Sequence, residues 1–242
     1  MKKFIMSLIL IFSHSVYSKS LEKLLDRIDR LHRSDSSEVQ MEMQIQTPNW
    51  KRTLKMKVWT KGLERTFITI LAPKKDKGIS TLKRDNDMWN FFPKINKVIK
   101  VPPSMMMGSW MGSDLTNDDL VKENTYRKDF NSKFGVEDQN YYRIISTPKP
   151  ETVTVWGKVE ILVDKKNEFP IKQIYYDENM EKIRVMEMKE IKKIGGKTIP
   201  TVLELVPLKK KGNKTIIKYT AAEFNKEISD SVFSKRNLQK RR

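Results

Sequence analysis

The sequence predicts a mainly β fold of the α+β class. One antiparallel sheet of about ten strands carries two helical segments packed against one face. Three observations support this. Apolar and polar residues alternate with period two over much of the chain, as in strands with one buried face. Turn signals interrupt that pattern at close to the ~8–12 residue spacing of antiparallel sandwiches and barrels. Prolines fall at strand ends or in turns, where the missing N–H does not break a ladder.

The first residues form a targeting segment. Lys2 and Lys3 make a basic n-region, Phe4 to Phe12 a short apolar h-region, and Val16-Tyr17-Ser18 a cleavage site. The apolar run is too short to anchor the chain across a bilayer. Cleavage is expected after Ser18, so residues 1–18 are assigned to a signal peptide and 19–242 to a single domain, exported to the periplasm. No Cys is present, which excludes Cys acylation and disulfides. The net charge is +18, or +16 once Lys2 and Lys3 have left. Such a chain attracts anionic partners, and in a periplasm these are chiefly membrane headgroups, met transiently. Export and the lack of a nucleic-acid-binding motif argue against nucleic acid.

Ser20 caps a helix running to about His32. Leu21, Leu24, Leu25, Ile28 and Leu31 form its apolar stripe; Lys23, Asp26, Arg27, Asp29 and Arg30 cover the other side, where His32 also falls. The period then changes to two. Val39, Met41, Met43 and Ile45 alternate with polar residues, and Leu54, Met56 and Val58 do the same after the Pro48-Asn49 turn. Arg65 to Leu71 is apolar on both sides, as for a strand covered on both faces. Ile79 to Lys83, Met88 to Phe92 and Lys97 to Val101 are three short strands. A polar stretch from Asp129 to Asp138 reads as a surface loop. Strands follow at Tyr141–Thr147, Val153–Val155, Lys158–Asp164, Ile171–Tyr176, Lys182–Lys192, Lys197–Pro207 and Thr215–Glu223. A short helix or edge segment at Asp230–Leu238 leads into a basic tail.

Between the two sheet halves lies VPPSMMMGSWMGSDLTNDDLVKENTY, residues 101–126. Pro102-Pro103 ends the preceding strand. Met105, Met106, Met107, Trp110 and Met111 are punctuated by Gly108 and Gly112, which favours short turns over a long helix. Thr116 is the N-cap of a helix reaching about Asn124, with Asp118 and Asp119 in its first turn. Four Met beside two Gly suit either of two roles: filler under a loop, or a surface that fits varied apolar partners.

The run WNFFPKINKVIKVPPSMMM followed by SWMGSDLTNDDLV resembles the signature of the outer-membrane lipoprotein-sorting protein family, the LolA/LolB-like carriers. The resemblance extends over the whole mature chain. It implies a strongly curved sheet forming an unclosed barrel, with a short helical lid over an apolar cavity. It also implies acyl chains of lipoproteins or lipids as cargo, no cofactor, and an inner-membrane export pump as a partner. The protein is expected to act as a monomer.

Catalysis has little to work with. Once His14 leaves with the signal peptide, His32 is the only His, and its place on the polar helix side predicts an exposed bystander. Without Cys, and with one His, nucleophilic dyads and triads are disfavoured. Asp114, Asp118, Asp119 and Glu123 form an acidic cluster without metal-loop spacing, and helix capping explains its first-turn members. Neither a catalytic nor a metal site is assigned. Binding is better supported. Met41, Met43 and Met56 share one hairpin face. With Trp89, Phe91, Met105, Met106, Met107, Trp110 and Met111 they make the candidate cavity and lid. Each methylene buried there yields ~0.8 kcal/mol. The expected function is carriage of acylated cargo between membranes. The alternative, of a different class, is a sensor or adaptor that binds a protein or peptide in the same groove.

Overall fold

A computed structural model describes residues 20–122, 126–136, 138–152 and 154–240. The predicted signal peptide lies outside them. The described chain opens with helix α1, residues 20–29. Strands β1 (Ser36–Gln46), β2 (Lys51–Lys61), β3 (Arg65–Ala72), β4 (Ser80–Arg84), β5 (Asp87–Phe92) and β6 (Lys97–Lys100) follow as a meander. A 3₁₀ turn, Pro103–Met105, and helices α2 (Asn117–Lys122) and α3 (Tyr126–Asp129) come next. The second meander is β7 (Phe130–Phe134), β8 (Tyr141–Pro148), β9 (Lys158–Asp164), β10 (Pro170–Tyr176), β11 (Lys182–Ile194), β12 (Lys197–Pro207) and β13 (Lys214–Phe224). A second 3₁₀ turn, Asp230–Phe233, and helix α4 (Lys235–Leu238) close the described chain. Among the described residues no helix is long and apolar enough to cross a membrane.

All thirteen strands belong to one antiparallel sheet, ordered β6-β5-β4-β3-β2-β1-β13-β12-β11-β10-β9-β8-β7. The first and last strands meet in the middle, so each meander runs outward from the β1–β13 pair. β6 and β7 are therefore the two edges, and they do not pair with each other. This topology positions the site. The segment joining β6 to β7 starts at one edge of an unclosed sheet and ends at the other, and it passes over the face between them.

The count exceeds the expected ten; β4–β6 fall where the three short strands are expected, and β7 is an addition to them. β7 falls in the stretch read as a surface loop. Its sequence, FNSKF, offers only Phe130 and Phe134 as apolar signals, which is ordinary for an edge strand paired on one side to β8. The strand expected at Val153–Val155 is not found: Val153 lies outside the described residues, and Thr154 and Val155 are not in a strand. Pro200 sits inside β12, against the expectation for prolines. It is tolerated because β12 pairs with β13 only at Val202–Leu205, so the missing N–H breaks no bond to that neighbour.

Two layers cover the inner face. Leu21, Leu24, Leu25 and Ile28 of α1 pack on Ile144, Val159, Ile161 and Val163 of β8 and β9. Burial of each such side chain stabilises the fold by about 1.5–3 kcal/mol. Trp110, Leu115 and Val121 pack on Val39, Met43, Met56 and Val58 of β1 and β2. On the outer face, Phe67, Leu82, Trp89 and Phe91 are covered by Ile228, Phe233 and Leu238 of the C-terminal segment. β3 is thus buried on both faces, as its continuous apolar run predicts.

Candidate ligand cavity

Between the inner face of the sheet and the 101–122 segment lies a cavity of about 170 Å³. One ordered water needs only ~10–15 Å³, so this space is many times larger than a single water site. Its floor is Val39, Met41, Met43, Met56 and Val58, continued by Leu203 and Ile217. Met186 and Met188 of β11 extend it, and Trp110, Leu115 and Leu120 form its roof.

The roof follows from its local sequence. Met111 and Gly112 have φ of +54° and +78°, a tight reversal that Gly112 makes without strain. The reversal folds Trp110 back on Leu115, whose carbonyl accepts the Trp110 N–H at 2.7 Å. Thr116 caps α2 through a reciprocal pair: Asp119 N–H donates to Thr116 Oγ1 at 3.1 Å, and Thr116 N–H donates to Asp119 Oδ2 at 2.8 Å. Asn117 Nδ2 donates to the Met105 and Gly108 carbonyls, stapling the Met turn to the start of α2.

Side chains from separate strands hold the segment down. Trp110 Nε1 donates to Thr81 Oγ1 at 3.2 Å. Thr215 Oγ1 donates to Asp114 Oδ2 at 2.9 Å and accepts the Asp114 N–H at 3.0 Å. Arg52 Nη1 donates to the Met111 carbonyl at 3.4 Å. Arg184 of β11 grips Asp119 with both Nη atoms, at 2.6 and 2.5 Å. The acidic cluster thus resolves into hydrogen-bonding positions for Asp114 and Asp119, while Glu123 lies outside the described residues.

Four of the ten predicted site residues line the cavity: Met41, Met43, Met56 and Trp110. Met106 and Met111 pack against the same core from the roof. Met105 and Met107 do not; the 3₁₀ turn points them outward, with Met105 60% exposed. Trp89 and Phe91 are placed on the outer face, away from the cavity. The register decides this: Trp89 pairs with Leu82, Leu82 with Phe67, Phe67 with Trp59, and Trp59 with Glu38. Directly paired residues share a face, and this row is opposite to Met41 and Met43. The buried apolar residue that β5 turns inward is Met88, which the sequence reading passed over.

One end of the cavity is polar. Arg184 is 4% exposed and Asp119 12%. The guanidinium packs against the adjoining rings of Trp156 and Tyr175, 4.2 and 4.1 Å from their ring centres. Burial alone would push the Arg184 pKa down; the charge and hydrogen bonds of Asp119 more than reverse this and raise it. The Tyr175 hydroxyl donates to Gln173 Oε1 at 2.6 Å, and burial pushes its pKa up.

His32 is not an exposed bystander. It borders the cavity, stacks on Tyr219 with centres 4.8 Å apart, and its Nε2 meets the Pro200 carbonyl at 2.8 Å. Burial lowers its pKa to about 4. Asp29, assigned to the solvent side of α1, is 1% exposed. It accepts the N–H groups of Tyr126 and Arg127, both at 3.3 Å, and so fixes the start of α3 on α1. Burial raises its pKa from 3.8 to about 7, against the pull of those two donors.

These shifts oppose each other in stability. From pH 3.8 to about 7 the folded state keeps the Asp29 proton that the unfolded state loses, so stability falls as pH rises. From about 4 to 6.5 the unfolded state holds the His32 proton that the folded state lacks, so stability rises with pH. Each slope is at most about 1.4 kcal/mol per pH unit. Wild-type stability is therefore expected to change little from these two groups over their shared window. Asp29→Asn is expected to expose the rising His32 slope. Urea midpoints measured across the window check this, and a variant profile parallel to wild type would contradict the burial of Asp29.

Residues 62–240 match a family model described as an uncharacterised protein. No curated protein matches the chain. Among solved structures, a DUF1329 family protein from Desulfovibrio piger superposes with a TM-score of 0.78 at 21% identity, over 91% of this chain and 98% of that one. A LolA superfamily protein from Nitrosomonas europaea gives 0.74 at 21%, over 89% and 98%. An outer membrane lipoprotein-sorting protein domain from Vibrio parahaemolyticus gives 0.74 at 17%, over 89% and 97%. The chain belongs to the family that the 62–240 model describes, and its fold is that of the LolA-like lipoprotein-sorting proteins.

Proposed function

We propose that the protein is a periplasmic carrier for acylated cargo, lipoprotein or lipid, and that it makes and breaks no covalent bond. The observation that carries this reading is the cavity: an apolar space under a segment tied to the sheet by side-chain hydrogen bonds and one ion pair. The 101–122 segment acts as the lid. Its ties are few and reversible, whereas the sheet beneath it is a continuous hydrogen-bonded ladder. An acyl chain of a dozen or more carbons would gain enough from ~0.8 kcal/mol per methylene to bind without covalent attachment.

One end of the sheet suits membrane docking. The β1–β2 and β12–β13 turns lie side by side there, with Gln46 paired to Lys214. They expose Trp50 and Leu208 beside Lys51, Lys210 and Lys211. The Met111–Asp114 tip of the lid meets the same end, through Arg52 and Thr215. A loaded carrier pressed against anionic headgroups at this end would have its lid at the bilayer surface.

Met41 is partly buried and lines the cavity, so Met41→Trp adds a ring to the space at modest cost to the fold. Excluding two methylenes is expected to weaken binding of a long-chain acyl ligand about tenfold. Displacement of a fluorescent fatty acid measures this. Unchanged affinity with the fold intact would place the acyl chain elsewhere.

A further inference from the structure

We infer that the polar end of the cavity is a subsite for an anionic ligand head, carboxylate or phosphate, and that Arg184 recognises it. This rests on the carrier reading and narrows its cargo to acyl compounds with an acidic head. Arg184 is buried, borders the cavity, and packs against the adjoining rings of Trp156 and Tyr175. Its guanidinium spends both Nη groups on Asp119, while the buried Nε has no hydrogen-bond partner among the described residues. A buried donor left unmade is costly in a finished core and ordinary in a site that awaits a ligand.

The two halves of the pair belong to different bodies. Arg184 stands on β11, in the interior of the sheet, while Asp119 rides on α2 in the lid. Asp118, which also lines the cavity, rides on the same helix. When the lid lifts, both carboxylates leave and Arg184 stays. A buried cation without its partner is strongly unfavourable, so a ligand that brings its own anion is favoured over a neutral one. The carboxylate or phosphate would take the bidentate place of Asp119, a geometry that guanidinium suits.

The track for the chain is built into the same strand. Arg184, Met186 and Met188 alternate along β11 and all three line the cavity, so a head at Arg184 delivers its chain onto the two Met and then across to Leu203 and Ile217. The rest of the lining away from this end is dominated by apolar side chains.

The test compares three ligands of one chain length at pH 8: a fatty acid, a lysophosphatidic acid and a neutral monoacylglycerol. Wild type, Asp119→Asn and the neutral pair Arg184→Gln with Asp119→Asn are titrated with each. Wild type is expected to favour at least one acidic ligand over the neutral one by about tenfold. Asp119→Asn is expected to widen that preference, since it removes the internal competitor. The neutral pair is expected to lose the preference. Preference for the fatty acid alone assigns a carboxylate source, and preference for the lysophosphatidic acid a phospholipid source. Equal affinity of wild type for all three overturns the inference and leaves the carrier reading standing. If Asp119→Asn folds, a preference that fails to widen overturns it without recourse to the double variant. Failure of wild type to bind any of the three overturns the carrier reading, and this inference with it.

Discussion

Trp110→Ala is expected to lower stability by about 3–5 kcal/mol, the cost of emptying a large aromatic site that cannot collapse. Trp110 is 3% exposed and stands in the core cluster of β1 and β2. The reversal at Met111 and Gly112 holds its backbone, and the hydrogen-bonded strands beneath it cannot move in to fill the space. The polar loss is small by comparison. Thr81 Oγ1 still donates to Asn90 Oδ1 at 2.7 Å and gives up only the indole it accepts. The cavity beside Trp110 makes the variant informative. An acyl chain entering the enlarged space would recover part of the loss, and ligand at a hundred times its Kd adds about 2.7 kcal/mol. Urea unfolding with and without a long-chain ligand measures both effects. A cost below 1 kcal/mol would show that the 101–122 segment is not part of the core.

Arg184→Met is the second large effect. It removes one half of a buried bidentate pair and leaves the Asp119 carboxylate desolvated, at an expected cost of about 3–5 kcal/mol. Asp119 still has the Thr116 N–H, which offsets only part of that. Arg184→Met with Asp119→Leu is expected to recover most of the loss, because apolar side chains of similar volume replace buried ion pairs at little net cost. The double-mutant cycle separates the pair from the packing of either residue. If the single and double variants are equally unstable, the loss comes from the contacts of Arg184 with the Trp156 and Tyr175 rings and not from the pair.

Much of the architecture is legible from periodicity. β9 and β12 begin and end where the alternation does, and α1 follows its Leu stripe. Thr116 is recognisable as a cap because its hydroxyl and Asp119 have the spacing of a capping box. Phase is harder. In WNFF every residue but Asn90 is aromatic, so the run does not say which of its members face inward. The register sends Trp89 and Phe91 out and Met88 in. β7 fails for a related reason, since a polar edge strand has the composition of a loop. The polar end of the cavity carries no local signal. Arg184 is one of 48 Lys and Arg residues, and its partner Asp119 is 65 positions away. His32 and Asp29 look solvent-facing on a helical wheel. They are buried because α1 packs on β8 and β9 with α3 against one flank and β12 near the other.

The central claim is that the cavity holds an acyl chain. Native mass spectrometry of the protein, purified without detergent from the cells that make it and followed by lipid extraction, tests it most directly. Fatty acid, phospholipid or lipoprotein bound at close to one per protein is the expected result. A protein that emerges empty, and stays empty when offered acyl ligands, would contradict a carrier and leave the Met-lined space as an unfilled part of the core.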